Sequence, residues 1–381
     1  MRHLGDITKI RGDKIPTVDC ITGGSPCQDL SVAGKRIGLA GERSGLFMEQ
    51  IRIIKEMRVR DREDGRTGSD IRPRFMVWEN VPGAFSTNKG EDFRAVLQET
   101  VKVVCPEAPV IPMPKRGWPC AGCLIGLEGK WSVAWRVHDA KFWGVPQRRK
   151  RIALVADFAG GSAGKILFES EGVSGYTPQG FRSWQGAAGA SEKGSGAAGC
   201  VCLNNQGGVN EDVSSSLDAT DRHAIAYCMT TGTYTQVLKE QSPTLMARDY
   251  KGPPIVNETG PEYSVRRLTP LEYERLQGYP DGWTDIGDWI DAKGKKRKTS
   301  DSIRYKSIGN SIALPFWQWL TRRISAQYDR PATLGSLFDG IGGFPYCWER
   351  CNGRGTAIWA SEIDEFCIAV TERRINSQDI V

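Results

Sequence analysis

A thiol, a carboxylate and two guanidiniums stand where they could do chemistry. The stretch Gly23-Gly24-Ser25-Pro26-Cys27-Gln28 follows the apolar run Val18 to Ile21, which reads as a buried strand. The two glycines permit a tight turn, and Pro26 fixes the backbone beside Cys27. A cysteine on a rigid strand-to-loop turn suits a nucleophile, although most cysteines are simply small buried hydrophobes. Glu79 stands at the end of a short apolar strand, Arg74 to Trp78. In Gln147-Arg148-Arg149-Lys150-Arg151, Arg149 and Arg151 alternate, so an extended backbone would aim both at one site. The same run would also serve as a surface charge patch. A second constellation is Phe338-Asp339-Gly340-Ile341-Gly342-Gly343, which ends one strand and opens a helix. Its glycines let the backbone approach a ligand. Glu362, about twenty positions on at the end of the next strand, could hold ribose hydroxyls. That logic fits several nucleotide-type cofactors, NAD among them.

Positioning these groups requires a sheet. Residues 3–22 read as strand, loop and strand, and Ser44 caps a helix through about Met57, with Phe47, Ile51 and Ile54 on one face. Arg58 to Asp70 reads as a solvated loop. Asp92 to Val104 looks helical, and Trp131 to Val137 and Arg151 to Ala156 read as strands. After Phe158 the texture changes. Gly186 to Gly199 is Gly, Ala and Ser, and no strong period returns before about Pro261, which predicts a separate small domain. Thr269 caps a helix with Pro270 at its first position, ending before Gly278. Lys293 to Lys298 reads as a solvated basic loop, with a phosphate contact as the alternative. A helix over Ile312 to Ile324, strands over Leu334 to Phe338 and Thr356 to Ala360, and a helix from Asp364 to Arg373 close the chain. Strands alternating with helices predict an α/β fold covered on both faces.

The 381 residues suffice for one large core and a smaller second domain. Composition is that of a globular protein, 39% hydrophobic and 25% charged, with no apolar run long enough to cross a bilayer. The polar stretch Met1 to Lys14 is unlike a secretory signal, and eleven cysteines then point to reduced thiols in a cytoplasm. The net charge of +6 favours a polyanionic partner without requiring one. Cys120-Ala121-Gly122-Cys123 lacks a second pair at zinc spacing, so no metal site is expected.

Taken together, the Cys27 turn, Glu79-Asn80-Val81, Gln147 to Arg151, Gly309-Asn310-Ser311 and the glycine loop resemble the DNA cytosine-5 methyltransferase family. The resemblance implies a Rossmann-like sheet binding S-adenosylmethionine, plus a smaller target-recognition domain. It divides the chain into 1–157 and 263–381 as the two catalytic parts and 158–262 as the recognition domain. It implies Cys27 as the nucleophile that adds to cytosine C6, Glu79 as the group serving N3, and Arg151 at O2, with Arg149 holding Glu79 or a backbone phosphate. On the cofactor it implies Phe338 near the adenine, Glu362 on the ribose, Asp6 on the adenine amino group, and Asn310 and Ser311 at the amino-acid end. Gly340, Gly342, Gly343, Ile7 and Pro26 complete the set, while Asp339 stands where small residues are frequent. Gln28 to Gly41 would close over a flipped base. The partner implied is double-stranded DNA, for a monomeric, bacterial or phage-encoded cytoplasmic protein, with room for a cognate restriction endonuclease.

The order of the parts is rotated. In the family's usual arrangement the glycine loop comes first, whereas here Phe338 to Glu362 comes last and Gly5-Asp6-Ile7 first. This reads as a circular permutation and predicts termini close together on one edge of the sheet. Two other classes remain open: a catalytically silent DNA-binding relative, and an RNA cytosine methyltransferase. A nicotinamide dehydrogenase would explain the glycine loop and leave Cys27 and Glu79 without work.

Overall fold

Alternating apolar strands and amphipathic helices assemble, in a computed structural model, around one large sheet. The structure describes residues 1–25, 45–168, 202–203, 209–210, 227–229, 237–239, 245, 247, 255–258 and 264–376. Pro26, Cys27, the loop 28–41, the stretch 186–199 and most of 230–250 lie outside the described residues. The first part of the chain supplies β1 (Arg2–His3), β2 (Cys20–Gly23), β3 (Phe75–Asn80), β4 (Ala121–Ile125), β5 (Ser132–Asp139) and β6 (Lys150–Asp157). The middle supplies the pair β7 (Cys202–Leu203) and β8 (Val209–Asn210). It also supplies β9 (Tyr227–Met229), β10 (Val237–Lys239), β11 (Ile255–Glu258) and β12 (Ser264–Arg267), an antiparallel sheet of order β10-β9-β11-β12. A hairpin follows, β13 (Asp288–Ile290) and β14 (Lys296–Lys298), and the chain ends with β15 (Leu334–Leu337) and β16 (Ala357–Ser361).

The main sheet has the order β1-β16-β15-β2-β3-β6-β5-β4. From β1 to β3 neighbours run parallel; β6, β5 and β4 add antiparallel. The last strands of the chain therefore sit inside the sheet begun by the first ones, as the rotated order requires. Met1 and Asn376 meet beside the edge strand β1. The Met1 ammonium donates to Asn376 Oδ1 at 2.7 Å, and Asn376 Nδ2 donates to the Met1 carbonyl at 2.9 Å.

The period of two along each strand divides its side chains between two cores. Phe75 and Val77 of β3 face the helices Pro270–Gln277, Leu314–Ser325 and Gly343–Asn352. Met76 and Trp78 face α1 (Leu46–Glu63) and α2 (Glu91–Val101). The result is a Rossmann-like α/β sheet covered on both sides. The cap expected at Thr269 forms as a reciprocal box with Glu272, and Gly278 ends that helix at φ +83°.

Three expectations need correction. Arg58 to Asp70 is not wholly a solvated loop, because α1 runs on to Glu63. Two of its charges point inward: Arg58 is buried and donates to the carbonyls of Ile71 and Pro73 at 3.0 and 2.6 Å, and buried Asp61 pairs with Arg72 at 3.0 Å. The unit built on the main sheet extends past 157. The helix α3 (Ala163–Leu167) packs into the main core, and Arg323 donates to the carbonyls of Ile166 and Phe168 at 2.6 and 3.2 Å. The small sheet likewise runs past 262, to Arg267 in β12. Finally, Lys293 to Lys298 belongs to the β13–β14 hairpin.

One buried carboxylate joins the rotated parts. Asp19, 1% exposed, accepts both Arg330 Nη atoms at 2.7 Å, together with the Thr333 amide at 2.7 Å and hydroxyl at 2.9 Å. Burial alone would raise its pKa, but Arg330 and Thr333 outweigh burial and lower it. The stabilisation is therefore fully present above the usual aspartate range of about 3.9 and is lost as pH falls through the lower folded value. Because Arg330 is half exposed, solvent screening moderates the effect. We expect Asp19→Asn to lose roughly 1–3 kcal/mol at neutral pH in urea unfolding, with the gap narrowing below about pH 4. A gap that stays constant with pH would refute this account.

Candidate active site

In open α/β sheets, ligands sit outside the carboxyl ends of parallel strands. Glu79 lies in the last turn of β3 on that edge, and its carboxylate meets Arg151 of β6, Nε to Oε1 2.8 Å. Both side chains are largely covered, 14% and 15% exposed. The neighbours of Glu79 on its own strand hold the start of the thiol turn. Trp78 Nε1 donates to Ser25 Oγ at 3.1 Å, and Asn80 Nδ2 donates to the Ser25 carbonyl at 3.0 Å. Thus the strand that carries the carboxylate also fixes the backbone two residues before Cys27. Neither bond was legible in the sequence, since an indole and a serine far apart carry no pattern.

The glycines of this turn serve a different purpose from the one expected. Gly23 and Gly24 are not left-handed. They are small because a Cβ on Gly23 would lie 2.5 Å from Gln50 Oε1, and one on Gly24 would lie 2.9 Å from Glu79 Oε2. Close approach to the carboxylate is what Gly24 provides.

Arg149 and Arg151 do not share a site, which corrects the reading of their alternation. Arg149 is 2% exposed, too buried to meet a phosphate, and does not pair with Glu79. Its guanidinium donates to the carbonyls of Leu245 at 2.8 Å and Gly309 at 3.2 Å, and to that of Ser311. Burial, and then the nearby Arg151, lowers its pKa well below the usual arginine range, with Glu79 opposing. Its backbone amide is held by Asp139 Oδ1 at 2.8 Å. Arg149 is therefore a positioning residue that ties β6 to the Gly309-Asn310-Ser311 turn.

The glycine loop forms a cradle. Gly340 and Gly342 adopt φ +56° and +83°, and Phe338 itself has φ +55°. A Cβ on Gly342 would lie 2.8 Å from Thr371, and one on Gly343 would lie 2.5 Å from the Tyr279 hydroxyl, so the helix start is packed tightly. Glu362 Oε2 accepts the Gly340 amide at 2.7 Å, while Oε1 accepts the amides of Ile363 and Asp364 at 2.7 and 2.8 Å. The carboxylate that should meet a ribose thus also shapes the loop beneath it. Asp6 accepts from the Thr8 amide at 3.0 Å and hydroxyl at 2.8 Å, chiefly the former lowering its pKa, and Ile7 is buried behind it. Asn310 is exposed at the end of its helix; Ser311 is buried, its hydroxyl on the Ile308 carbonyl at 2.6 Å.

One residue here escaped the sequence reading, and a second, Asp339, stood out there only as a departure from small residues. Ile363 follows Glu362 and is 73% exposed, an apolar side chain at the lip of the cradle. Its signal was an aliphatic residue directly after an acid at a strand end. Asp339 is buried, with Oδ1 on the Ser336 hydroxyl at 2.6 Å and Oδ2 without a partner. Burial, opposed by that hydroxyl and reinforced by Glu362, pushes its carboxyl up to about 7.

The two arginines should respond differently to truncation. Arg149→Leu is expected to cost roughly 2–4 kcal/mol in urea unfolding, since several buried carbonyls lose donors at about 1–3 kcal/mol each. Arg151→Leu breaks one ion pair that is covered but not sealed, and should cost less, about 1–2 kcal/mol. Equal losses would contradict the division of roles.

Comparisons with known proteins place the chain in a family. The family described as C-5 cytosine-specific DNA methylase matches residues 2–103 and 127–326, most of the chain. A protein of Escherichia phage P1 named DNA N-6-adenine-methyltransferase is 29% identical, covering 85% of this chain and 55% of its own length. Type II methyltransferase M1.ScrFI of Lactococcus lactis subsp. cremoris is 26% identical, covering 82% of this chain and 63% of its own length. The chain thus spans about half to two thirds of these relatives. Among solved structures, the S. pombe Dnmt2 methyltransferase aligns with a TM-score of 0.40 and 13% identity, over 85% of this chain and 84% of that one. The match over most of its length makes this chain a member of the C-5 cytosine-specific DNA methylase family.

Proposed function

We propose that this protein methylates C5 of cytosine in double-stranded DNA, using S-adenosylmethionine and a covalent adduct between Cys27 and C6. The observation that carries the reading is the Glu79–Arg151 pair, held beside the turn that leads into Cys27 by the Trp78 and Asn80 bonds to Ser25.

The residues of the cradle fit the cofactor. Glu362 and Asp6 offer acceptors for ribose hydroxyls and an adenine amine, Ile363 and Phe338 offer apolar surface, and the orphaned Asp339 Oδ2 suits a cationic ligand. Bound there, S-adenosylmethionine would supply an electrophilic methyl group.

C5 of cytosine is a poor nucleophile until a thiolate adds at C6 and makes the ring enamine-like. In the proposed mechanism Cys27 forms that bond. Charge then accumulates toward N3 and O2, where Glu79 delivers a proton and Arg151 neutralises the oxygen. Loss of the C5 proton after methylation expels the thiolate and restores the aromatic ring. A stacked base hides C5 and C6, so the target must leave the helix, and the region of β9 to β12 is assigned to reading sequence in the grooves.

The name of the phage P1 relative raises adenine N6 as the target. Methylation of an exocyclic amine needs no adduct, so it would leave Cys27 and the Glu79–Arg151 pair idle. The cytosine reading uses all three.

A duplex whose target cytosine carries fluorine at C5 separates the two. The enzyme should remain attached through denaturation, only with S-adenosylmethionine present, because fluorine cannot leave as the proton does. Cys27→Ala should abolish both trapping and methylation while still binding DNA. Glu79→Gln should slow methyl transfer by about 10²–10⁴. Formation of N6-methyladenine without trapping, or an adduct mapped to another cysteine, would overturn the proposal.

A further inference from the structure

The β13–β14 hairpin concentrates Lys293, Lys295, Lys296, Arg297 and Lys298 in six residues, and nothing in the reaction uses them. Its two strands pair in the register Asp288 to Lys298, Trp289 to Arg297 and Ile290 to Lys296. Residues opposite one another project to the same face of a sheet. One face is therefore Trp289 and Arg297. Trp289 packs on Phe366 with ring centroids 5.7 Å apart, and Arg297 Nε donates to Asp291 Oδ2 at 2.8 Å. The other face carries Asp288, Ile290, Lys296 and Lys298, and Ile290 is 62% exposed. Of the five cations, only Arg297 is spent on holding the fold.

The lysines nevertheless stand on a rigid element. Asp291 Oδ1 accepts the amides of Lys293 and Lys295 at 3.0 and 2.8 Å, and the Thr299 hydroxyl closes the base on the Gly287 carbonyl at 2.6 Å. The one lysine pair, Lys296 with Asp288 at 2.8 Å, has side chains 70% and 43% exposed, and such a pair exchanges its partner at little cost. The hairpin's place is fixed by the Ala292 amide, which donates to Glu365 at 3.4 Å, three residues beyond Glu362. It therefore stands on the sheet edge where the strand ends gather Glu79, Arg151 and the cradle.

We propose that this hairpin is a second contact for duplex DNA, gripping backbone phosphates beside the catalytic cleft through Lys293, Lys295, Lys296 and Lys298. It rests on the duplex-DNA reading above. A duplex that presents a base to Glu79 must cross this edge, and it carries a phosphate about every 3.4 Å of axis on each strand. Lys296 and Lys298, two residues apart on a strand, are spaced by about 6.8 Å, two such steps. Contacts of this kind hold and orient the duplex without reading sequence.

The test is salt-dependent binding of a fluorescent duplex to the full chain and to the Lys293→Ala/Lys295→Ala/Lys298→Ala variant. Each lost phosphate contact reduces the slope of log affinity against log salt by about 0.9, so the variant's slope should be shallower by about 2–3. Its turnover at saturating DNA and its sequence choice should be unchanged, and the corresponding triple arginine variant should keep the wild-type slope. A steep wild-type slope that the alanine variant shares would overturn the hairpin proposal alone. A wild type with no salt-dependent affinity for duplex would bring down the duplex reading and the hairpin with it.

Discussion

A guanidinium sealed from water has to find its acceptors within the fold, and Arg149 finds them on segments that meet nowhere else in the sequence. Its donors reach the carbonyls of Leu245, Gly309 and Ser311 while its own amide is fixed by Asp139. An unpaired buried charge is among the most costly defects a fold can carry. The arrangement is therefore nearly all-or-none: β6 comes to rest only where those carbonyls converge. That rest position also sets Arg151, two residues along the same strand, against Glu79. A structural cation thus determines where the chemical one stands.

The second constraint is that a sheet is specified by pairing and not by chain order. Strand β15 requires neighbours that bury it on both sides, and it finds β2 and β16, one from each end of the chain. Gly335 lets the Trp359 ring of the adjoining strand lie across it, and Asp19 clasps Arg330 and Thr333 where the connection into β15 begins. These contacts have the same form whichever segment is synthesised first. Moving the termini to the β1 edge, where Met1 and Asn376 meet, changes only where the backbone is cut.

Much of this was legible in residue patterns. Alternation predicted β5, a continuous apolar run predicted β6, and the Thr269-Pro270 cap with Gly278 marked both ends of its helix. Glu79 could be placed because an apolar strand ends at it. What was hidden depended on partners distant in sequence. The charges of Arg58 and Asp61 read as solvated because their partners, the Pro73 carbonyl and the Arg72 guanidinium, lie beyond a turn. Arg149 and Arg151 look equivalent in Gln-Arg-Arg-Lys-Arg, and only burial separates them. Gly24 suggested a turn conformation, whereas the structure uses its missing side chain to admit the Glu79 carboxylate.

The site also separates its charges along the sheet edge. Around β15, β16 and β1 the carboxylates at the cradle are Glu362 and Asp6, with the Asp339 carboxyl buried beneath them. At β6 the partner of Glu79 is the cation Arg151. A cradle of carboxylates favours a positively charged ligand, and a guanidinium favours an oxygen on which negative charge develops. Under the proposed reaction those are the sulfonium cofactor and the O2 of the attacked cytosine. A nicotinamide dinucleotide would set its pyrophosphate on the glycine loop and a ribose on Glu362, and would bring no sulfonium to the acids around them. The glycine loop alone admits either ligand, and the acids around it favour the cation.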